Sequence, residues 1–218
     1  MLRIFRVVFG EISLNWLVLL SSIGGYILGS IPFGVVVSRW LGSPDPRLAG
    51  SRNVGFTNVL RVGGKKAGIL TLVGDIGKGW LVGWIGTLLF HQEAAILFVA
   101  MAPILGHLHS AFLNFKGGKG VATALGAVLG VAPWIGLTLM GIWVGAVVLW
   151  KYSSGGALVA FGLFPIVALL FHQSWLFVLF ACLVAILIWS KHADNLVRLW
   201  MGTERRIGDR PSDHVAPR

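Results

Sequence analysis

The sequence predicts an all-α polytopic membrane protein with seven transmembrane helices, at least one of them short, with the N-terminus outside and the C-terminus in the cytoplasm. Three observations carry this prediction. First, the 218-residue chain is 56% hydrophobic and only 12% charged, with a mean hydropathy of +0.82, whereas a water-soluble domain carries roughly 25% charged residues. Second, the apolar residues fall in runs long enough to cross about 30 Å of hydrocarbon. Third, lysine and arginine cluster between those runs, in segments that a seven-span topology gathers on one side. No linker or internal repeat divides the chain, so residues 1–218 read as one integral membrane domain.

The elements follow in order. Leu2, Ile4, Phe5, Val7 and Val8 mix with Arg3 and Arg6, as in a segment lying at the membrane interface. The apolar stretch from Ile12 to Val37 is too long for a signal-peptide core, and no clear cleavage site follows it. It reads as a retained first span near 14–37, with Gly24, Gly25, Gly29 and Gly34 offering a face for close helix approach. Further spans are predicted near 67–90, 94–113, 121–132, 133–150, 155–171 and 174–190. The stretch 121–150 as one helix would be about 45 Å long, more than a bilayer core accommodates. Pro133 can break it. The short piece before Pro133 reaches only about 18 Å. It must pack against other helices, because helix ends cannot face lipid.

Charge sets the orientation. Arg39, Arg47, Arg52, Arg61, Lys65 and Lys66 precede span two, and Lys116 and Lys119 precede the short helix. Lys151 separates spans five and six, and Lys191, Arg198, Arg205, Arg206, Arg210 and Arg218 follow span seven. Seven spans put all of these on one side, the cytoplasmic side; Arg3 and Arg6 oppose the assignment. The net charge of +10 is divided among these flanks and does not indicate a nucleic-acid partner. Cys182 is the one cysteine, so no internal disulfide forms.

Two basic segments carry the chemistry of phosphate binding. In Gly50–Arg61, glycine allows backbone N–H groups to converge on an anion. Ser51, Asn53, Gly55, Thr57 and Asn58 supply polar groups, and Arg61 supplies a planar fork. Lys116-Gly117-Gly118-Lys119-Gly120 leads straight into the short helix, whose N-terminus adds to the Lys119 charge. It is not a Walker A loop, because Gly120 stands where Ser or Thr is needed. Asp75 and Lys78, three positions apart inside span two, read as a structural ion pair. After span seven, His192, Asn195 and Arg198 share one helix face. His107, near the end of span three, reads as a packing residue. No His/Cys/Asp/Glu spacing indicates a metal, and no cofactor is expected.

In order and spacing, Ser51–Arg61, Gly106–Thr123 and His192–Glu204 resemble the motifs of the bacterial acyl-phosphate-dependent glycerol-3-phosphate acyltransferases, the PlsY family. The Asp75–Gly79 segment and the Lys151–Ser154 turn fit as well. The resemblance implies a seven-helix membrane fold. The reaction it implies moves a fatty acyl group from acyl phosphate to the sn-1 hydroxyl of glycerol 3-phosphate. The products are lysophosphatidic acid and inorganic phosphate, the first step of phospholipid synthesis. It implies that Ser51, Asn53, Gly55, Thr57 and Asn58 hold the acyl phosphate. Arg61, Gly117, Gly118, Lys119, Ser154, His192 and Asn195 would hold glycerol 3-phosphate, with Ser51, Arg61, Lys119, His192 and Asn195 catalytic and Glu204 structural. Functional coupling to an enzyme that makes acyl phosphate is a further implication. Arg52 and Phe56 depart from the family pattern, which has glycine and alanine there. Direct acyl transfer without an acyl-enzyme is expected, because the mixed anhydride already has a good leaving group. A transporter of a phosphate-bearing solute is the alternative; it calls for polar sites at mid-membrane, where only Asp75 and Lys78 lie.

Overall fold

The computed structural model describes residues 16–209. The interfacial reading of the first ten residues, and the charges of Arg3, Arg6, Arg210 and Arg218, lie outside the described residues. The described chain is helical, without a strand. In order it forms α1 (Trp16–Ser30), α2 (Phe33–Trp40), α3 (Phe56–Leu89), α4 (Glu93–Leu108), a 3-10 turn (Ala111–Leu113), α5 (Val121–Val131), α6 (Pro133–Trp150), α7 (Ser153–Leu170), α8 (Trp175–Ser190) and α9 (Ala193–Trp200). By length and composition, Glu93–Leu113, Pro133–Trp150 and Ser153–Leu170 can cross a membrane; counting α1 with α2 and α8 with α9 as bent spans raises the number to five.

The division at Pro133 is where the sequence placed it. α5 ends at Val131 and α6 starts with proline in its first turn, where a missing N–H does no harm. Two boundaries differ from expectation. The first span is not continuous over 14–37: it bends by 44° between Ser30 and Phe33, because Pro32 interrupts the helical ladder. The second helix starts at Phe56 rather than 67, and Gly64 (φ 81°, ψ 178°) kinks it where the basic segment meets the apolar run. Only glycine adopts that conformation without strain.

Close helix packing uses absent side chains. A Cβ on Gly79 would meet the Thr123 carbonyl oxygen at 2.1 Å, and one on Gly83 the Ala127 oxygen at 2.5 Å. Across the same crossing, Gly126 and Gly130 abut the Ile76 and Trp80 carbonyls at 2.0 and 2.5 Å. These pairs, four residues apart on α3 and α5, bring the two backbones together and keep the short α5 inside protein. α1 and α4 meet in the same way through Gly29 and Gly106. Between α7 and α8, Phe161, Phe164, Phe177 and Phe180 form the core, with ring centroids 5.9–6.3 Å apart. The outer faces carry exposed Leu20, Val148, Leu149 and Ile186, which suits lipid.

The bend in the first span creates a local need. Lys78 donates to the Ile31 carbonyl at 2.8 Å, satisfying an acceptor freed at the break, and pairs with Asp75 at 2.8 Å. Both side chains are almost wholly buried. The expected pair is therefore present and fixed to the α1–α2 bend.

Candidate active site

The four basic segments meet at one end of the bundle. Thr57 Oγ1 lies 2.8 Å from Ser153 Oγ, Lys119 bonds Asn195, and the Ile207 N–H donates to the Lys151 carbonyl at 2.7 Å. At the other end, Ser174 donates to Glu93 at 2.6 Å. Where the basic segments converge they enclose a cavity of about 580 Å³.

Three uncapped helix starts face this cavity. α3, α5 and α7 begin after Gly55, Gly120 and Tyr152, none of which caps its helix with a side chain. Residues of each first turn line the space: Phe56 and Thr57, Val121 and Ala122, Ser153 and Ser154. First-turn N–H groups lack helical partners and carry partial positive charge, so the arrangement suits anions.

The first loop is built around Asn58. Its Oδ1 accepts from the Ser51 N–H at 2.8 Å. Its Nδ2 donates to the carbonyls of Pro46, Ala49 and Asn53 at 3.0, 3.1 and 2.9 Å. That uses both amide hydrogens, so Asn58 shapes the loop and has no donor left for a substrate phosphate. Gly50 lies at φ +62°, and a Cβ there would meet Asn58 Oδ1 at 2.3 Å. Asn53 closes a small turn by accepting from the Gly55 N–H at 2.8 Å. Arg52 occupies the left-handed region at φ +58°, the conformation that glycine would take without strain.

The second loop divides its glycines. Gly117 lines the cavity. Gly118, expected to touch glycerol 3-phosphate, packs instead on His107: a Cβ there would meet His107 Nε2 at 2.3 Å. The Gly118 N–H donates to the His107 carbonyl at 3.0 Å. The His107 ring lies 3.4 Å from Asp75 Oδ1 and 3.2 Å from Thr123 Oγ1. His107 thus supports the turn that presents Lys119.

The third region is a chain of hydrogen bonds. Lys119 donates to Asn195 Oδ1. Asn195 Nδ2 donates to Glu204 Oε1 at 2.6 Å, and Ser154 donates to the same oxygen at 2.7 Å. Arg198 pairs with Glu204 Oε2 at 2.7 Å. Burial opposes ionisation of Glu204, but hydrogen bonds from Ser154, Arg198 and Asn195 hold its carboxyl below the usual range. Burial lowers Lys119 to about 8, with Glu204 partly countering. His192 donates Nδ1–H to the Ile188 carbonyl at 2.7 Å. Burial lowers its pKa to about 4, so the ring is neutral near pH 7 and Nε2 keeps its lone pair.

Of the expected residues, Ser51, Asn53, Gly55, Thr57, Asn58, Arg61, Asp75, Gly117, Lys119, Ser154, His192, Asn195 and Glu204 line one cavity; Lys78 and Gly118 stand behind it. Among the lining residues not singled out for the site are Ser153, Trp143, Asp194 and Arg205. Arg205 is followed by Arg206, and in sequence it is indistinguishable from a positive flank. The lining also includes an apolar set, Leu72, Ile76, Leu125, Met140 and Val144.

A helical bundle with apolar outer faces, enclosing a cavity lined by both cationic and apolar side chains, is the architecture of an integral membrane protein with an internal anion site. A family model for glycerol-3-phosphate acyltransferase matches residues 19–202. The glycerol-3-phosphate acyltransferase of Nitrosospira multiformis is 47% identical over 189 residues, covering 85% of this chain and 94% of that protein. That of Aromatoleum aromaticum is 44% identical, covering 89% and 98%. The crystal structure of PlsY (YgiH), an integral membrane glycerol 3-phosphate acyltransferase, in its glycerol 3-phosphate form, superposes with a TM-score of 0.83 at 36% identity, covering 88% of this chain and 96% of that one. Its lysophosphatidic acid form gives 0.81 at 35% identity, covering 87% and 94%. The chain belongs to the glycerol-3-phosphate acyltransferase family.

Proposed function

We propose that this protein transfers a fatty acyl group from acyl phosphate to the sn-1 hydroxyl of glycerol 3-phosphate, yielding lysophosphatidic acid and inorganic phosphate. The carrying observation is the two-part lining of the cavity: Arg61, Lys119 and three helix starts on the one hand, and Leu72, Ile76, Leu125, Met140 and Val144 on the other. An acyl phosphate is itself two-part. Its chain is favoured in the apolar portion by about 0.8 kcal/mol per buried CH₂. Its phosphate meets the first loop, where Ser51, Asn53, Gly55 and Thr57 face it, with Asn58 holding the loop in shape. Glycerol 3-phosphate occupies the wall formed by Arg61, Gly117, Lys119, Ser154, His192 and Asn195.

Transfer is direct. The glycerol oxygen bonds the acyl carbon, and the bond from that carbon to the phosphate oxygen breaks, with the electron pair leaving on phosphate. Cations and first-turn N–H groups stabilise the charge that develops on the carbonyl oxygen and the departing phosphate. Holding both reactants in one cavity supplies the orientation. With its pKa near 4, His192 is a weak base. Its Nε2 accepts the hydroxyl hydrogen bond and aligns the nucleophile, and the proton passes to the departing phosphate.

In this reading the chain crosses the inner membrane seven times: the α1–α2 pair, the part of α3 beyond Gly64, α4, the short α5, α6, α7 and α8. The N-terminus is outside. The basic end faces the cytoplasm, where glycerol 3-phosphate and an enzyme producing acyl phosphate are found. Purified protein given acyl phosphate and glycerol 3-phosphate should release phosphate and form lysophosphatidic acid in equal amounts. Uptake of phosphate-bearing solute into proteoliposomes without acyl donor, and no lipid product, would support a transporter instead. Reporter fusions at the C-terminus check the orientation.

A further inference from the structure

Residues 203–209 return from α9 across the mouth of the cavity. The Ile207 N–H donates to the Lys151 carbonyl at 2.7 Å, and Arg206 stacks on Tyr152, its guanidinium carbon 5.5 Å from the ring centroid. Tied at these points, the segment delivers two neighbouring side chains to the cavity wall, Glu204 and Arg205. Their situations differ. Glu204 is fully engaged by Ser154, Asn195 and Arg198. The Arg205 side chain lines the cavity with no hydrogen bond or ion pair among the described residues, and the Arg61 side chain in the same lining has none either.

Two half-buried guanidinium groups in one cavity repel each other. Burial, followed by the charge of Arg205, lowers the pKa of Arg61; the carboxylates of Asp209 and Glu204 only partly offset this. Asp209 is also held to the strap, accepting from the Arg206 N–H at 2.7 Å. Such a pair is stabilised by an anion of more than one charge that offers several acceptor oxygens. A phosphate monoester, close to dianionic at pH 7, has that chemistry. The wall beside Arg205 is the Glu204–Asn195–Ser154 network.

We propose that Arg205 is a substrate-binding residue, forming with Arg61 a two-guanidinium clamp on the phosphate of glycerol 3-phosphate. This rests on the reading of the site given above. The strap fixes the clamp's second arm, so the site is complete only when Ile207 and Arg206 are docked.

The test is calorimetric binding of glycerol 3-phosphate to detergent-purified full-length protein, alongside steady-state kinetics. Arg205→Ala should weaken glycerol 3-phosphate binding and raise its KM about 10- to 100-fold, the range for losing a charge-assisted hydrogen bond. The KM for acyl phosphate and the melting temperature should not change. Arg205→Lys should recover part of the loss, because it keeps the charge without the fork. If Arg205→Ala instead loosens the strap, the Glu204 network fails with it, and kcat and both KM values move together; that result overturns the clamp. Unchanged glycerol 3-phosphate binding in Arg205→Ala overturns it as well. Wild-type protein that binds glycerol 3-phosphate through Arg205 but transfers no acyl group would reject the transferase reading and leave the clamp standing.

Discussion

The Asn195 amide joins Lys119 to Glu204: its oxygen accepts from the ammonium and its nitrogen donates to the carboxylate at 2.6 Å. One neutral side chain thus links a cation and an anion contributed by two separate loops. Removing it leaves Lys119 without this acceptor and takes from Glu204 one of its three donors, Ser154 and Arg198 remaining. Asn195→Ala should reduce kcat/KM for glycerol 3-phosphate about 30- to 100-fold, as expected for losing hydrogen bonds to charged groups. Asn195→Asp should not rescue it, because a carboxylate cannot donate to Glu204. Steady-state kinetics of the two variants check this.

The Lys119 pKa of about 8 predicts a basic limb in the pH profile. Below that value the ammonium is charged and attracts phosphate. As pH rises through about 8 the free enzyme loses the charge, so kcat/KM for glycerol 3-phosphate should fall. Lys119→Arg keeps its charge, and whatever activity it retains should lack this limb. A pH–rate comparison of the two proteins decides it.

Arg52 predicts a gain. At φ +58° it sits in the left-handed region, which costs a non-glycine residue roughly 1–2 kcal/mol. Arg52→Gly should relieve this, less the extra chain entropy glycine brings to the unfolded state, for a net stabilisation of about 0.5–1 kcal/mol. Thermal melts in detergent should show a higher midpoint with activity retained.

Gly118 and Gly77 form a matched pair for the packing behind Lys119. Gly118→Ala places a methyl 2.3 Å from His107 Nε2, whereas Gly77→Ala meets nothing within 4 Å. The first should destabilise by about 1–3 kcal/mol through overpacking and impair turnover by shifting Lys119. The second should be stabilising by roughly 0.5–1 kcal/mol as a helix-interior glycine replaced by alanine. Melting and turnover of both variants separate the cases.

The Asp75–Lys78 pair should behave as structure. Asp75→Asn strips the buried Lys78 of its counter-ion, at about 3–5 kcal/mol. Replacing both, as Asp75→Asn with Lys78→Met, should recover much of that loss, though the Ile31 carbonyl keeps only its bond from the Phe33 N–H. Unfolding midpoints of the single and double variants read the coupling.

The amino-acid sequence by itself determined the membrane class, the all-helical architecture and the division at Pro133. Each of these depends on local properties: run length, charge between runs, and a residue lacking an N–H. It also marked Arg61, Lys119, His192 and Asn195, through the resemblance of their segments, in order and spacing, to the family's motifs. The tertiary structure decided the division of labour among them. Asn58 and Asn195 are both amides in basic segments, yet one is consumed by its own loop and the other bridges two loops. Gly117 and Gly118 are adjacent and both abut His107, one its carbonyl and the other its ring, yet only Gly117 also lines the cavity. Arg205 and Arg206 are adjacent cations, yet one enters the cavity and the other stacks on Tyr152. Side-chain direction depends on contacts between segments far apart in the chain, such as Ile207 with Lys151. No window of sequence contains both partners of such a contact.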